Sequence, residues 1–160
     1  MRVEPGWIDY NGHLNMAYYN VLFDRAIEEA WIALGMGSDY TAERNLTTFA
    51  AQAHLSYRRE VGLIDAVRVT AQLIDYDEKR LHIYSEMRHA QEGWLAAISE
   101  TLHLHVDLAT RKVAPFPADI QAALAAMKAA HGRLPRPAEL GATIGLRRPQ
   151  SSAQRGRALN

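Results

Sequence analysis

The stretch Trp7-Ile8-Asp9-Tyr10-Asn11-Gly12-His13-Leu14-Asn15-Met16-Ala17-Tyr18-Tyr19 decides how the rest of the chain is read. It carries a carboxylate, an imidazole, two side-chain amides and three tyrosines in a polar turn, and it runs directly into an apolar periodic segment. Two readings share one geometry. In the first, Asp9-Tyr10-Asn11-Gly12 is a turn, because Asn and Gly tolerate positive φ and Asp bonds nearby amides. Asn15 then caps a helix whose first positions are Met16, Ala17 and Tyr18. In the second, the helix start is chemical. Its free N–H groups and dipole favour an anion by roughly 0.3–1 kcal/mol, and Asp9 sits six residues before the cap. A carboxylate beside oriented donors suits acyl transfer, with one group attacking or activating water and the other holding the oxyanion. Gly12 would let the backbone pass close to an acyl group.

Outward from the motif, the pattern is first helical and then strand-like. Tyr19, Leu22, Phe23, Ala26, Ile27, Ala30 and Leu34 repeat at helical spacing, with Asn20, Asp24, Glu28 and Glu29 on another face. The spacing predicts a helix from Met16 to Leu34, stopped by Gly35-Met36-Gly37. Upstream, Arg2-Val3-Glu4 reads as a short strand ended by Pro5-Gly6. After a connection through Ser38–Asn45, FAAQAHLSYRR, AVRVTAQLIDY, RLHIYSEMR and WLAAISETLHLHVD read as four strands at hairpin spacing, hence an antiparallel sheet. A second helix is expected from Ala118 to His131, ended by Gly132. Beyond Pro135 the composition turns to Pro, Gly, Ser and Arg, and the final residues read as a loosely held tail with solvated Arg147, Arg148, Arg155 and Arg157. The fold class is α+β. A single long helix covers one face of such a sheet, and a homodimer would also protect exposed strand edges.

Bulk properties narrow the function. The 160 residues carry zero formal net charge, which gives no field to draw in nucleic acid or an acidic membrane. The absence of cysteine excludes disulfides, thiolate metal sites and a cysteine nucleophile. No apolar run approaches the roughly 18–20 residues of a membrane span, and the first residues, MRVEPGW, lack the apolar core of a signal peptide. The expected compartment is the cytoplasm.

The pattern Asp9-x-x-Gly12-His13-x-Asn15-x-x-x-Tyr19, followed by Phe23, resembles the signature of the hotdog-fold acyl-CoA thioesterases, in particular the 4-hydroxybenzoyl-CoA thioesterase-like group. Ser56-Tyr57-Arg58-Arg59-Glu60-x-Gly62 resembles that family's exit from its second strand, and the similarity runs from about Arg2 to Ile120. The resemblance implies a hotdog domain over residues 1–133 with a tail over 134–160, a central helix wrapped by its sheet, and a homo-oligomer, dimer or tetramer, with active sites at subunit interfaces. It places the catalytic carboxylate at Asp9 and the oxyanion-holding amide at the backbone N–H of Met16, with His13 and Asn15 beside them. Gly12, Tyr18, Tyr57, Arg58 and Arg59 fall where it puts the substrate. No metal and no cofactor is implied, coenzyme A being part of the substrate. Hydrolysis then needs Asp9 as nucleophile or as general base, and the thiolate leaves without a strong acid. A non-catalytic acyl-CoA-binding module is the alternative.

Other residues compete for roles. His13 orients Asp9, contacts the acyl group or bonds a loop carbonyl. Tyr19 reads as core and Tyr18 as the pocket-facing neighbour. Glu100, in register with Ile98, Leu102 and Leu104, reads as a partner for a basic side chain across an interface. His103-x-His105-x-Asp107 places three metal-capable groups on one strand face, but without a second cluster solvated or interface histidines are the better reading. Lys79, Arg80 and Arg88 join Arg58 and Arg59 as candidates for the CoA phosphates. The wording of the opening motif also resembles thioesterases of carnitine and betaine breakdown, which implies betainyl-CoA beside generic short-chain or aromatic acyl-CoA. Trp7, Tyr10, Tyr18, Tyr57 and Trp94 would then offer aromatic faces to a quaternary ammonium.

Overall fold

The computed structural model describes residues 1–145. Asn15 ends the opening loop and α1 (Met16–Ala33) begins where the spacing predicts, burying Tyr19, Leu22, Phe23, Ile27 and Trp31 along one stripe. Gly35, at φ 77°, turns the chain out of the helix. The following connection is a helix rather than a loop: α2 (Ser38–Arg44) buries Tyr40 and ends at Asn45 in the left-handed region. Seven residues carry too little periodicity to announce it. The expected strand at Arg2-Val3-Glu4 is a single bridge between Arg2 and Ala66, followed by a 3-10 turn at Pro5–Trp7.

The four expected strands are β1 (Leu46–Tyr57), β2 (Val67–Tyr76), β3 (Arg80–His89) and β4 (Leu95–Asp107), and a short β5 (Lys112–Val113) adds to β4. Their order is β1-β4-β3-β2, antiparallel throughout. The second helix, α3 (Ala118–His131), has the predicted bounds and sits beside α1, joining Ile120 and Leu124 to a cluster with Ile27, Trp31, Leu73 and Ile83. Two helices therefore share the covering of one sheet face. A second cluster lies nearer the start of α1, where Leu14, Leu22 and Phe23 meet Val61, Val67 and Met87. Between the two, Ser85 and Ser99 stand opposite each other on adjacent strands, both buried, their hydroxyls without a hydrogen-bond partner among the described residues.

The sheet edges differ. On the β2 side, α3 closes over a bulge between Leu73 and Asp75. There the Leu73 amide donates to Nδ1 of His131 at 2.9 Å, and Lys128 reaches the Ile74 carbonyl and the Asp75 carboxylate. On the other side, β1 pairs only with β4, and its middle residues are exposed. The segment after residue 133 crosses the outer face, where the Gly141 amide donates to Glu100 and Glu139 pairs with Arg58. The rest of the expected tail, including Arg147, Arg148, Arg155 and Arg157, lies outside the described residues.

The histidines of β4 are neither solvated nor interfacial; both are buried among the helices. The Tyr40 hydroxyl donates to Nε2 of His105 at 2.8 Å, and the His105 Nδ1–H donates to the Ala114 carbonyl at 2.8 Å. His103 meets Trp31 edge-on at 5.0 Å and bonds the Thr101 hydroxyl at 3.0 Å. Asp107 turns away to accept amides of Ala109 and Thr110. Strand alternation alone does not say which face the helices cover, which is why the sequence reading misplaced this pair.

Burial pushes the His103 imidazole down from 6.5 to about 4, with Asp24 opposing the shift. The folded chain thus keeps a neutral ring that the unfolded chain protonates below pH 6.5. The associated stability is complete above that value and is lost as the pH falls towards 4. Urea unfolding should show a loss of about 1–3 kcal/mol from this group across the window. A smaller loss is expected in His103→Gln; an identical pH dependence in both proteins would contradict the assignment.

Candidate active site

The opening loop is closed by its own backbone. The Asn15 amide donates to the Trp7 carbonyl at 2.9 Å, the Asp9 amide to His13 at 3.0 Å, and the Gly12 amide back to Asp9 at 3.0 Å. Gly12 sits at φ 83°, a conformation that disfavours a side chain, so its role is the turn itself. A backbone bond fastens this loop to the exit of β1: the Leu14 amide donates to the Val61 carbonyl at 2.7 Å. The Asp9 carboxylate is half-buried, and its Oδ1 accepts the Asn11 amide at 2.8 Å. Its Oδ2 has no hydrogen-bond partner among the described residues.

The helix head completes the arrangement. Asn15 Oδ1 accepts the Ala17 amide at 3.0 Å, the cap that its position predicts. Among the described residues the Met16 amide has no acceptor, so a donor backed by the α1 dipole remains available. Asp9, His13, Leu14, Met16, Tyr19, Tyr57, Arg58, Arg59 and Glu60 line one cavity of about 350 Å³. Tyr57 donates to the Met16 carbonyl at 3.3 Å and meets Tyr19 edge-on at 5.1 Å. Burial raises the phenol pKa of both tyrosines, which keeps them neutral donors.

A larger cavity, about 760 Å³, lies on the opposite sheet face between His54, His82, Glu100 and Gly141. Its carboxylates are all committed: Glu100 to His82 at 2.7 Å, Asp75 to Lys128 and Asp77 to Arg80. The smaller cavity is lined by the residues that carry the free carboxylate oxygen and the free amide, and chemistry follows those rather than volume.

Several expectations need correction. Tyr18 does not face the cavity; it stacks on Trp7 at 5.2 Å, and the buried Tyr19 lines the space instead. The set of aromatic faces is dispersed: Tyr10 is 98% exposed, and Trp94 stacks on His89. Only Tyr57 of that set borders the cavity. Gly12 and Asn15 shape the loop without lining it. His13 does line it, its Nε2 lying 3.5 Å from Glu60 rather than bonding Asp9. Glu100 finds its basic partner, His82, within its own sheet. Lys79, Arg80 and Arg88 are paired with Glu78, Asp77 and Glu86, away from the cavity. Glu60 was missed, although it adjoins Arg59 in the strand exit.

Known proteins resemble the chain over most of its length. The model of the thioesterase-like superfamily matches residues 3–124. A betainyl-CoA thioesterase of Pseudomonas aeruginosa is 36% identical over 90% of this chain and 91% of its own. An L-carnitine dehydrogenase/betainyl-CoA thioesterase of Rhizobium meliloti is 31% identical over 92% of this chain, which spans 29% of that protein. Among solved structures, a Staphylococcus aureus protein in complex with CoA superposes with a TM-score of 0.85 at 26% identity, covering 92% of each chain. A candidate thioesterase from Pseudomonas putida gives 0.79 at 32% identity, covering 92% of this chain and 94% of its own.

The cap offers a direct check on the loop. Asn15→Ala removes the acceptor for the Ala17 amide and should cost about 1 kcal/mol in urea unfolding. The same change should lower kcat, because the Met16 amide shares that turn. Full activity in a measurably destabilised variant would separate the cap from the site.

Proposed function

The chain belongs to the thioesterase-like superfamily and is an acyl-CoA thioesterase, and we propose that Asp9 and the Met16 amide carry the reaction. One observation supports this most: Asp9, whose carboxylate keeps a free oxygen, and Met16, whose amide has no acceptor among the described residues, line the same cavity. The thioester carbonyl oxygen takes the Met16 amide, and the α1 dipole offsets the charge that develops there. Oδ2 of Asp9 then attacks the carbonyl carbon, or takes a proton from the water that does. The C–S bond breaks, and the thiolate departs without needing an acid. In the first route, water hydrolyses the resulting mixed anhydride and regenerates the carboxylate.

For the acyl group we favour betainyl, following the Pseudomonas aeruginosa relative. The lining includes Asp9, Glu60, Tyr19 and Tyr57, which can face a fixed cation, beside Arg58 and Arg59, which cannot. We further propose a homo-oligomer built on the free edge of β1, where a second copy would cover the exposed strand and close the cavity beside Tyr57. Sedimentation should then give at least twice the mass of the chain, and a monomer at assay concentration would remove this part.

Asp9→Asn keeps the Oδ1 acceptor for Asn11 and removes only the charge. Thiol release should fall about 10²–10⁴-fold, with the unfolding midpoint held; near-normal turnover would end the assignment. Betainyl-CoA should exceed its neutral tert-butyl isostere, 3,3-dimethylbutyryl-CoA, by about tenfold in kcat/KM. Equal rates would remove the cationic acyl group and leave the hydrolase.

A further inference from the structure

Two adjacent arginines border the cavity, and their surroundings differ. The Arg58 and Arg59 amides both donate to the Ala96 carbonyl, at 2.8 and 3.1 Å. Two residues thus oppose one, a bulge that sends both guanidiniums towards the same space. Arg58 is already neutralised by Glu139 from the segment after α3. Arg59 has no carboxylate in ion-pair reach among the described residues. Its guanidinium lies 4.2 Å from the centre of the Trp94 ring.

Trp94 is itself held from several sides. Its indole N–H donates to Glu92 at 3.1 Å, and its ring stacks on His89 at 4.9 Å, only 12° from parallel. His89 is fixed in turn, its Nδ1 accepting the Glu92 amide at 3.0 Å and its Nε2 lying 3.6 Å from Asp65. Asp65 accepts the Gly62 amide at 2.8 Å, which returns the series to the loop after β1. The result is a column, Asp65–His89–Trp94–Arg59, ending in an unpaired cation at the cavity.

We propose that Arg59, rather than Arg58, is the anchor for a phosphate group of the thioester substrate, and that Trp94 is the positioning residue that aims it. The inference deepens the acyl-CoA reading and rests on it. An arginine lying on an aromatic face gives up less side-chain freedom when it binds an anion, and its planar edge stays open for a two-point contact with phosphate oxygens. Arg58 acts differently, tying the segment after α3 to the exit of β1.

The test compares one acyl group on CoA with the same group on pantetheine, which carries no phosphate. Arg59→Gln should raise the KM of the CoA ester about tenfold and that of the pantetheine ester less than about twofold, with kcat on the CoA ester held. Arg58→Gln should show a smaller contrast. Trp94→Leu, which keeps bulk without an aromatic face, should reproduce part of the Arg59→Gln contrast, and Trp94→Phe should return the KM values towards wild type. An equal KM rise for both esters would overturn the proposal, as would a larger effect from Arg58→Gln or a Trp94→Leu variant that matches wild type. Calorimetric binding of CoA against pantetheine reads the same contrast without turnover. Failure to hydrolyse any ester would therefore sink the hydrolase reading separately from this one.

Discussion

The hydrogen bond from the Asn15 amide to the Trp7 carbonyl, 2.9 Å long, closes the loop that carries Asp9 onto the head of α1. Because Asn15 also caps the helix through its side chain, one residue fixes the loop and the helix start together. A carboxylate on a freely moving loop would lose most of the advantage of proximity, which depends on holding the reacting groups within a few tenths of an ångström. The Leu14–Val61 bond extends that constraint to the exit of β1, where the two arginines and Glu60 stand. The cavity is therefore assembled by backbone hydrogen bonds, and its side chains inherit their positions.

Charge is distributed in keeping with this. On the outer face of the sheet each carboxylate of the larger cavity has a basic partner. At the smaller cavity Arg59 and Oδ2 of Asp9 are left over. Uncommitted charge of this kind holds no element of the fold in place and is free to meet a ligand. Its presence on two groups bordering one space identifies that space more sharply than its size does.

Much of this was legible before any coordinates. Periodicity located α1 and α3, alternation located the four long strands, and the chemistry of turns and caps read the Asp9–Asn15 loop correctly. What failed depended on tertiary partners. Tyr18 and Tyr19 differ by one helical step, and only the packing of Trp7 against Tyr18 decides which phenol reaches the cavity. His103 and His105 share a strand face, but nothing local tells that face from the other, so their burial was invisible. Arg58 and Arg59 look alike in sequence, and Glu139 distinguishes them from 81 residues away. Local signals resolve elements and turns; long-range pairings assign roles to neighbours of the same type.

The facing serines at mid-sheet have a mechanical consequence. Ser85 and Ser99 interrupt the apolar packing between the cluster around Phe23 and the cluster around Trp31 and Phe116. The seam separates side-chain packing without separating elements, because α1, β2 and β3 contribute to both clusters. The anchors of the Asp9 loop to Val61 and Trp7 lie with the first cluster, whereas α2 and α3 pack on the second. Disturbance around α2 and α3 therefore reaches the reactive groups through the shared backbone of α1 and the strands rather than through side chains in the seam.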